Sequence, residues 1–180
     1  KRTDYRRAFG GVVVAVGVIA ACLLCSRARS ADIPVGPSAP ADEPCSYLIG
    51  NGGFETGDFS QWQTIGSPLV VDHQYHTGSY SGLGGDGNNQ DQTFDQTVTI
   101  PGSATSADLS FWSYIETDEG HLIPYDYLYV QVQDTAGTLL ATIRILDNTW
   151  TEEQWAESTI DLMQVTPDLL GQTVRIAFHA

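Results

Sequence analysis

From Thr93 to the end of the chain, apolar side chains recur at every second position, which predicts strands with one dry and one wet face. In Thr93–Ile100, Phe94, Val98 and Ile100 share a face on which only Gln96 is polar. In 107–115, Leu109, Phe111 and Ile115 point one way while Trp112 and Tyr114 point the other. The run 127–133 sets Leu128, Val130 and Val132 inward and Tyr127, Tyr129, Gln131 and Gln133 outward. Stretches 138–146 and 173–180 repeat the pattern, the second with Val174, Ile176 and Phe178 on one side. Branched and aromatic residues dominate these runs, and they suit a pleated surface better than a helix. Turn signals separate them at Asn51–Gly52–Gly53, Gly57–Asp58, Pro101–Gly102 and 134–137. A short helical turn is expected at 151–157, where Thr151 and Gln154 have capping spacing. The predicted class is all-β: an antiparallel two-sheet β-sandwich of seven to nine strands.

The first 31 residues follow a different rule. Lys1, Arg2, Arg6 and Arg7 precede a charge-free apolar stretch from Phe9 to Cys25, and small residues follow at Ala28, Ser30 and Ala31. That order predicts an N-terminal signal or anchor helix over residues 1–31 and an exported, extracellular or cell-surface chain. Three fates share this expectation. The segment is cleaved, is retained as an anchor with its basic start inside, or is processed at Ile19–Ala20–Ala21–Cys22, which resembles a lipoprotein box. Residues 32–45 carry four prolines and read as an extended linker, leaving residues 46–180 as the globular domain. Of the three cysteines, Cys45 alone lies beyond the leader, so no internal disulfide is expected there.

Charge narrows the partners. The chain holds 22 acidic and eight basic residues, and from Asp32 onward two arginines face 21 acids, a formal charge of −19. Such a surface repels phosphate backbones, which excludes nucleic acid, while neutral glycans, metal ions and cell-surface proteins stay open. A membrane is expected to be met only through the N-terminal segment. None of His73, His76, His121 and His179 stands in a zinc-protease spacing, and no nucleophile elbow is present. The domain is therefore read as non-catalytic.

Two clusters can carry binding chemistry. Trp112, Tyr114, Tyr125, Tyr127 and Tyr129 lie on the wet faces or at the end of a strand, where rings stack on the apolar face of a sugar. For Trp112, burial in a second core layer is the competing reading. Trp150 and Trp155 flank an acidic loop and line a rim or close one end of the sandwich. In Asn51–Gly52–Gly53–Phe54–Glu55, a carboxylate stands beside turn carbonyls, a mixture suited to calcium, with a turn-capping Glu55 as the equal alternative. The glycine-rich run 82–91 offers Asp86, Asn88 and Asp91 as hard oxygens, but it departs from the EF-hand spacing and reads as a solvated loop.

The opening run from Leu48 to Trp62, with His76–Thr77–Gly78–Ser79–Tyr80–Ser81 and the strand order after it, resembles the galactose-binding-like jelly-roll modules. These include carbohydrate-binding modules and the adhesion-type MAM domains. The resemblance spans residues 46–180. It implies a glycan-binding or surface-attachment module, with a protein-interaction or adhesion module as the alternative and part of an exported hydrolase third. It also implies a structural calcium ion, with Glu55 giving its carboxylate and the backbones near Asn51 and Ser79 giving carbonyls. Relatives complete that site from a last strand bearing two aspartates, whereas this sequence stops at Ala180. The resemblance thus implies a domain truncated before its last strand, with Val174–Phe178 exposed as an unpaired edge. MAM-type relatives pair internal cysteines, and the lone Cys45 departs from that pattern.

Overall fold

A computed structural model describes residues 46–87, 89–117, 122–150 and 154–180, together with the backbone of residues 12–23. Among the described residues the strands are β1 (Val12–Leu23), β2 (Ser46–Tyr47), β3 (Gln63–Ile65), β4 (Leu69–Val71), β5 (Ser81–Gly84), β6 (Thr93–Thr99), β7 (Ala107–Thr117), β8 (Tyr127–Gln133), β9 (Leu139–Asp147), β10 (Ala156–Asp161) and β11 (Thr173–His179). They form two antiparallel sheets. One runs β10-β7-β1-β5-β4, with β2 also paired to β1, and the other β3-β6-β11-β8-β9.

The period-two pattern decides which side chains meet between the sheets. On β7, Ala107, Leu109, Phe111, Ser113 and Ile115 are buried while the residues between them are half-buried. On β8, Leu128, Val130 and Val132 are buried, and β11 contributes Val174, Ile176 and Phe178. Gln96, the polar exception on β6, is buried as well. Its amide group is satisfied by the backbone of Gly50, accepting from the N–H at 2.7 Å and donating to the C=O at 2.8 Å. A buried amide bonded at both ends avoids the desolvation cost of an unmade hydrogen bond, and here it ties the opening loop to the sheet.

Aromatic rings fill one end of the core. Phe54 stacks on Trp62 at 5.4 Å and meets Phe94 edge-on at 5.8 Å, while Phe94 stacks on Phe178 at 5.4 Å. The β5 backbone lies close above this cluster. A Cβ placed on Gly82 would sit 2.7 Å from the Phe54 ring, so that position admits only glycine without movement of a buried ring.

Two expectations change. Val174–Phe178 is no open edge: β11 pairs with β6 on one side and β8 on the other, which makes it the central strand of its sheet. Within the stretch expected as a signal or anchor helix, the backbone of Val12–Leu23 runs as a strand between β7 and β5. Six of its twelve residues are β-branched, a composition that favours extended backbone once a sheet can supply partners. The rest of the leader and linker lies outside the described residues. Around the turn expected at 151–157, residues 151–153 also lie outside the described residues, and Ala156 and Glu157 already belong to β10. The helical turns instead flank it, at Asn148–Trp150 and at α1 (Leu162–Val165), where the Asp161 carboxylate caps the amides of Met163 and Gln164.

Candidate functional site

The five aromatic residues expected to contact a ligand divide between the two sheets. Trp112 and Tyr114 lie on the outer face of β7. There the His76 ring stacks on Trp112 at 3.8 Å with 11° between planes, and Trp155 lies 5.7 Å from both His76 and Tyr114. One face of Trp112 is therefore covered by a side chain of the same molecule. Val71 and Leu83 pack with Tyr114 and Trp155 as a small second cluster. Trp112 itself is half-buried.

Tyr127 and Tyr129 on β8 of the other sheet, and Tyr125 just before that strand, come together at a cleft of about 300 Å³. Gly85, Gly87, Asn89, Gln90 and Asp91 form one wall of it, Tyr125, Asp126, Tyr127 and Tyr129 the other, and His179 and Ala180 complete the lining. The volume lies at the small end of the range that small-molecule sites occupy.

Each wall has a physical cause. Alternation along β8 turns Tyr127 and Tyr129 outward, and their rings stand 5.6 Å apart with 25° between planes. The same alternation on β11 turns His179 outward, in register with Tyr129 on one side and Thr93 on the other. His179 Nε2 lies 2.8 Å from the Asp91 carboxylate, which fastens the glycine-rich loop to the sheet. Buried Gln92 holds the same loop from beneath, accepting from the Gly85 N–H at 2.9 Å and donating to the Ser67 carbonyl at 3.1 Å. Fully buried Asn148 sets the approach to β8. Its side chain accepts from the Tyr125 N–H at 2.8 Å and donates to the Ile123 carbonyl at 3.0 Å. The Oδ2 atom of Asp126, a cleft residue, is buried and has no hydrogen-bond partner among the described residues.

Chemically, the cleft sets near-parallel phenol rings beside two carboxylates, an imidazole and amide groups. Rings offer an apolar face, and the polar groups accept or donate hydrogen bonds to hydroxyls. The carboxylates also disfavour an anionic ligand.

Of Asn51, Glu55 and Ser79, expected around calcium, Glu55 and Ser79 form a hydrogen-bonded clamp. Both Glu55 carboxylate oxygens accept from the Ser79 N–H, at 3.1 and 3.0 Å, and one also accepts from Tyr80 N–H at 3.3 Å. Gly78 makes that approach possible. A Cβ there would stand 2.2 Å from the carboxylate, and its φ of +77° belongs to glycine. Asn51 organises the loop before it: its amide nitrogen donates to Thr56 Oγ1 and the Asp58 and Ser60 carbonyls, while its own carbonyl accepts from Trp62 Nε1 at 3.1 Å. Hydrogen bonds from Ser60 and Thr56 hold the Asp58 carboxyl below its ordinary pKa.

These partners are donors aimed at a carboxylate, whereas calcium requires converging oxygens. As folded, both Glu55 carboxylate oxygens are turned to backbone N–H donors. The expected result is that a chelator leaves the melting temperature unchanged. A chelator-dependent fall in differential scanning calorimetry would show the clamp opening to take a cation. Of the glycine-run oxygens, Asp91 is engaged with His179 and Asn88 lies outside the described residues.

Asp126, Asn148 and His179 were not singled out by the sequence reading, and Asp91 only as an oxygen of the glycine-rich run. Strand alternation places His179 outward, a usable signal. Its pairing with Asp91, 88 positions away, depends on loop placement that no local spacing encodes. Comparison with known proteins finds no matching family model, no matching curated protein and no matching solved structure.

Proposed function

We propose that the domain is a non-catalytic module that binds a neutral carbohydrate in the tyrosine cleft. The observation that carries this reading is the near-parallel pair of Tyr127 and Tyr129 facing a cleft that Asp91, Asp126 and His179 also line. Pyranose rings present an apolar face of C–H groups and a rim of hydroxyls, and this lining answers both. The strongly acidic domain and the cleft carboxylates select a ligand without negative charge. The jelly-roll resemblance and the leader-like N-terminus support an exported role of this kind, but a fold leaves ligand choice to the site itself.

The test is isothermal titration of the full chain with neutral mono- and disaccharides chosen from a glycan array. Binding is expected to persist in high salt, because stacking and hydrogen bonds between neutral groups are little screened. Tyr129→Ala is expected to weaken affinity by at least about tenfold, equivalent to about 1.4 kcal/mol, with the melting temperature little changed. Affinity unchanged by that substitution would move the site elsewhere.

A second reading, a protein-interaction module, is favoured by the exposed apolar residues beside the cleft. Leu122 is 95% exposed, and Ile123, Tyr125 and Trp150 each exceed half exposure. Under that reading the array is silent, and substitution of Leu122 and Ile123 by Ser abolishes self-association or partner capture.

A further inference from the structure

The link between the two halves of the first sheet is β1. It pairs with β7 from Val12 opposite Thr117 to Leu23 opposite Ala107, with an extra residue accommodated between Gly17 and Ala20. On its other edge Val14, Ala15 and Val16 pair with Gly84, Leu83 and Gly82 of β5. Without β1, the strand order divides into β10-β7 on one side and β5-β4 on the other. The backbone groups of β7 that face β1, and those of β5, would then be unpaired, and an unpaired strand row is a template for another strand.

The residues that close this gap also belong to a leader-like sequence: they are twelve uncharged positions rich in valine, and Lys1, Arg2, Arg6 and Arg7 precede them in the chain. In a bilayer a single segment must satisfy its backbone internally as a helix. It cannot be a helix in lipid and the middle of a sheet together. We propose that β1 is a detachable strand, and that the groove between β7 and β5 is a binding site for an extended, uncharged apolar peptide. Its resident occupant is the chain's own residues 12–23. Drawing the leader into a membrane empties the groove and exposes it for strand addition.

The groove's shape narrows its ligand. Buried Leu109, Phe111 and Ile115 of β7 flank it, and Gly82 and Gly84 of β5 lie close over the rings of Phe54 and Phe94. A charged side chain pointing inward there would be left unpaired in the core, at high cost. The specificity is thus for apolar, extended sequence, independent of the cleft proposed for sugars.

The test uses the full chain with a protease site written into residues 36–41, folded first and then cut. The N-terminal fragment is expected to remain bound by native mass spectrometry. A fluorescent synthetic peptide of residues 12–23, carrying solubilising lysines beyond its ends, is expected to exchange into the groove over hours in mild denaturant. The same peptide with Val14→Pro, which removes a backbone donor and introduces a steric clash, is expected to compete at least tenfold less well. Amides of residues 109–116 should exchange with deuterium at least tenfold faster once the fragment has left. If the cut chain aggregates, rescue by the parent peptide supports the assignment and failure of rescue overturns it. Immediate loss of the fragment with unchanged protection in β7 overturns it, as does a bound fragment that never admits labelled peptide. A dimer in which the strand crosses to a second copy overturns the intramolecular assignment.

Discussion

Phe54→Ala is expected to lower the unfolding free energy by about 3 to 5 kcal/mol, the range for deleting a fully buried aromatic ring. Phe54 has no solvent exposure and touches Phe59, Trp62 and Phe94, so the vacated space is walled by other rings. Those rings are themselves held, Trp62 by its hydrogen bond to the Asn51 carbonyl and Phe94 by stacking on Phe178, so collapse into the cavity is restricted. Backbone strain does not confuse the result. Phe54 sits at φ +59°, and alanine suffers the same left-handed penalty as phenylalanine, so the substitution reports the ring. Urea titration reads the effect as a lower midpoint at constant slope. A loss below about 1 kcal/mol would mean that the ring cluster is not the closed core described.

Arg175→Met is expected to cost about 2 to 3 kcal/mol at neutral pH and much less near pH 4. The pair lies on the outer face of the second sheet, with Arg175 Nε 3.7 Å from Asp95 Oδ1. The Asp95 side chain is only 4% exposed while that of Arg175 is 23% exposed. Removing the cation from a buried carboxylate leaves an uncompensated charge, which costs about 3 to 5 kcal/mol when burial is complete. The partly wet arginine places this pair below that range. Burial raises the Asp95 pKa above its ordinary 3.8, and the Arg175 charge pulls it partly back.

The sign of the pH dependence follows from proton binding. Between the unfolded and the raised folded pKa the native chain holds more protons, so this group's contribution to stability falls as pH rises through that window. Taking away Arg175 raises the folded pKa further and extends the fall to higher pH. The difference between variant and parent therefore grows from acid toward neutral. Urea midpoints of both proteins between pH 4 and 7 check it, and a pH-independent gap would mean that Asp95 is not the group left behind.

Much of the fold was legible because strand periodicity is local. Inward Leu128, Val130 and Val132, or Leu109, Phe111 and Ile115, can be read from two-residue spacing alone, as can the outward placement of Tyr127 and Tyr129. The glycines at 78 and 82 were visible, but not their reasons. Gly78 admits the Glu55 carboxylate and Gly82 admits the Phe54 ring, and both are contacts across more than twenty positions. The aromatic set was read from wet faces alone, because alternation identifies such a face without saying which sheet owns it. Strand pairing separates Trp112 and Tyr114 from the three cleft tyrosines.

By itself the sequence determined the all-β class, the inward stripes and an acidic surface, since these depend on side-chain period and on charge that can simply be counted. Tertiary structure alone decided that β11 is central, that His179 meets Asp91, and that Val12–Leu23 fills the space between β7 and β5. Each of those depends on which distant backbone row lies alongside. An apolar segment carries the same residues whether its hydrogen-bond partners are in a sheet or in its own helix, and only the assembled neighbours choose between them.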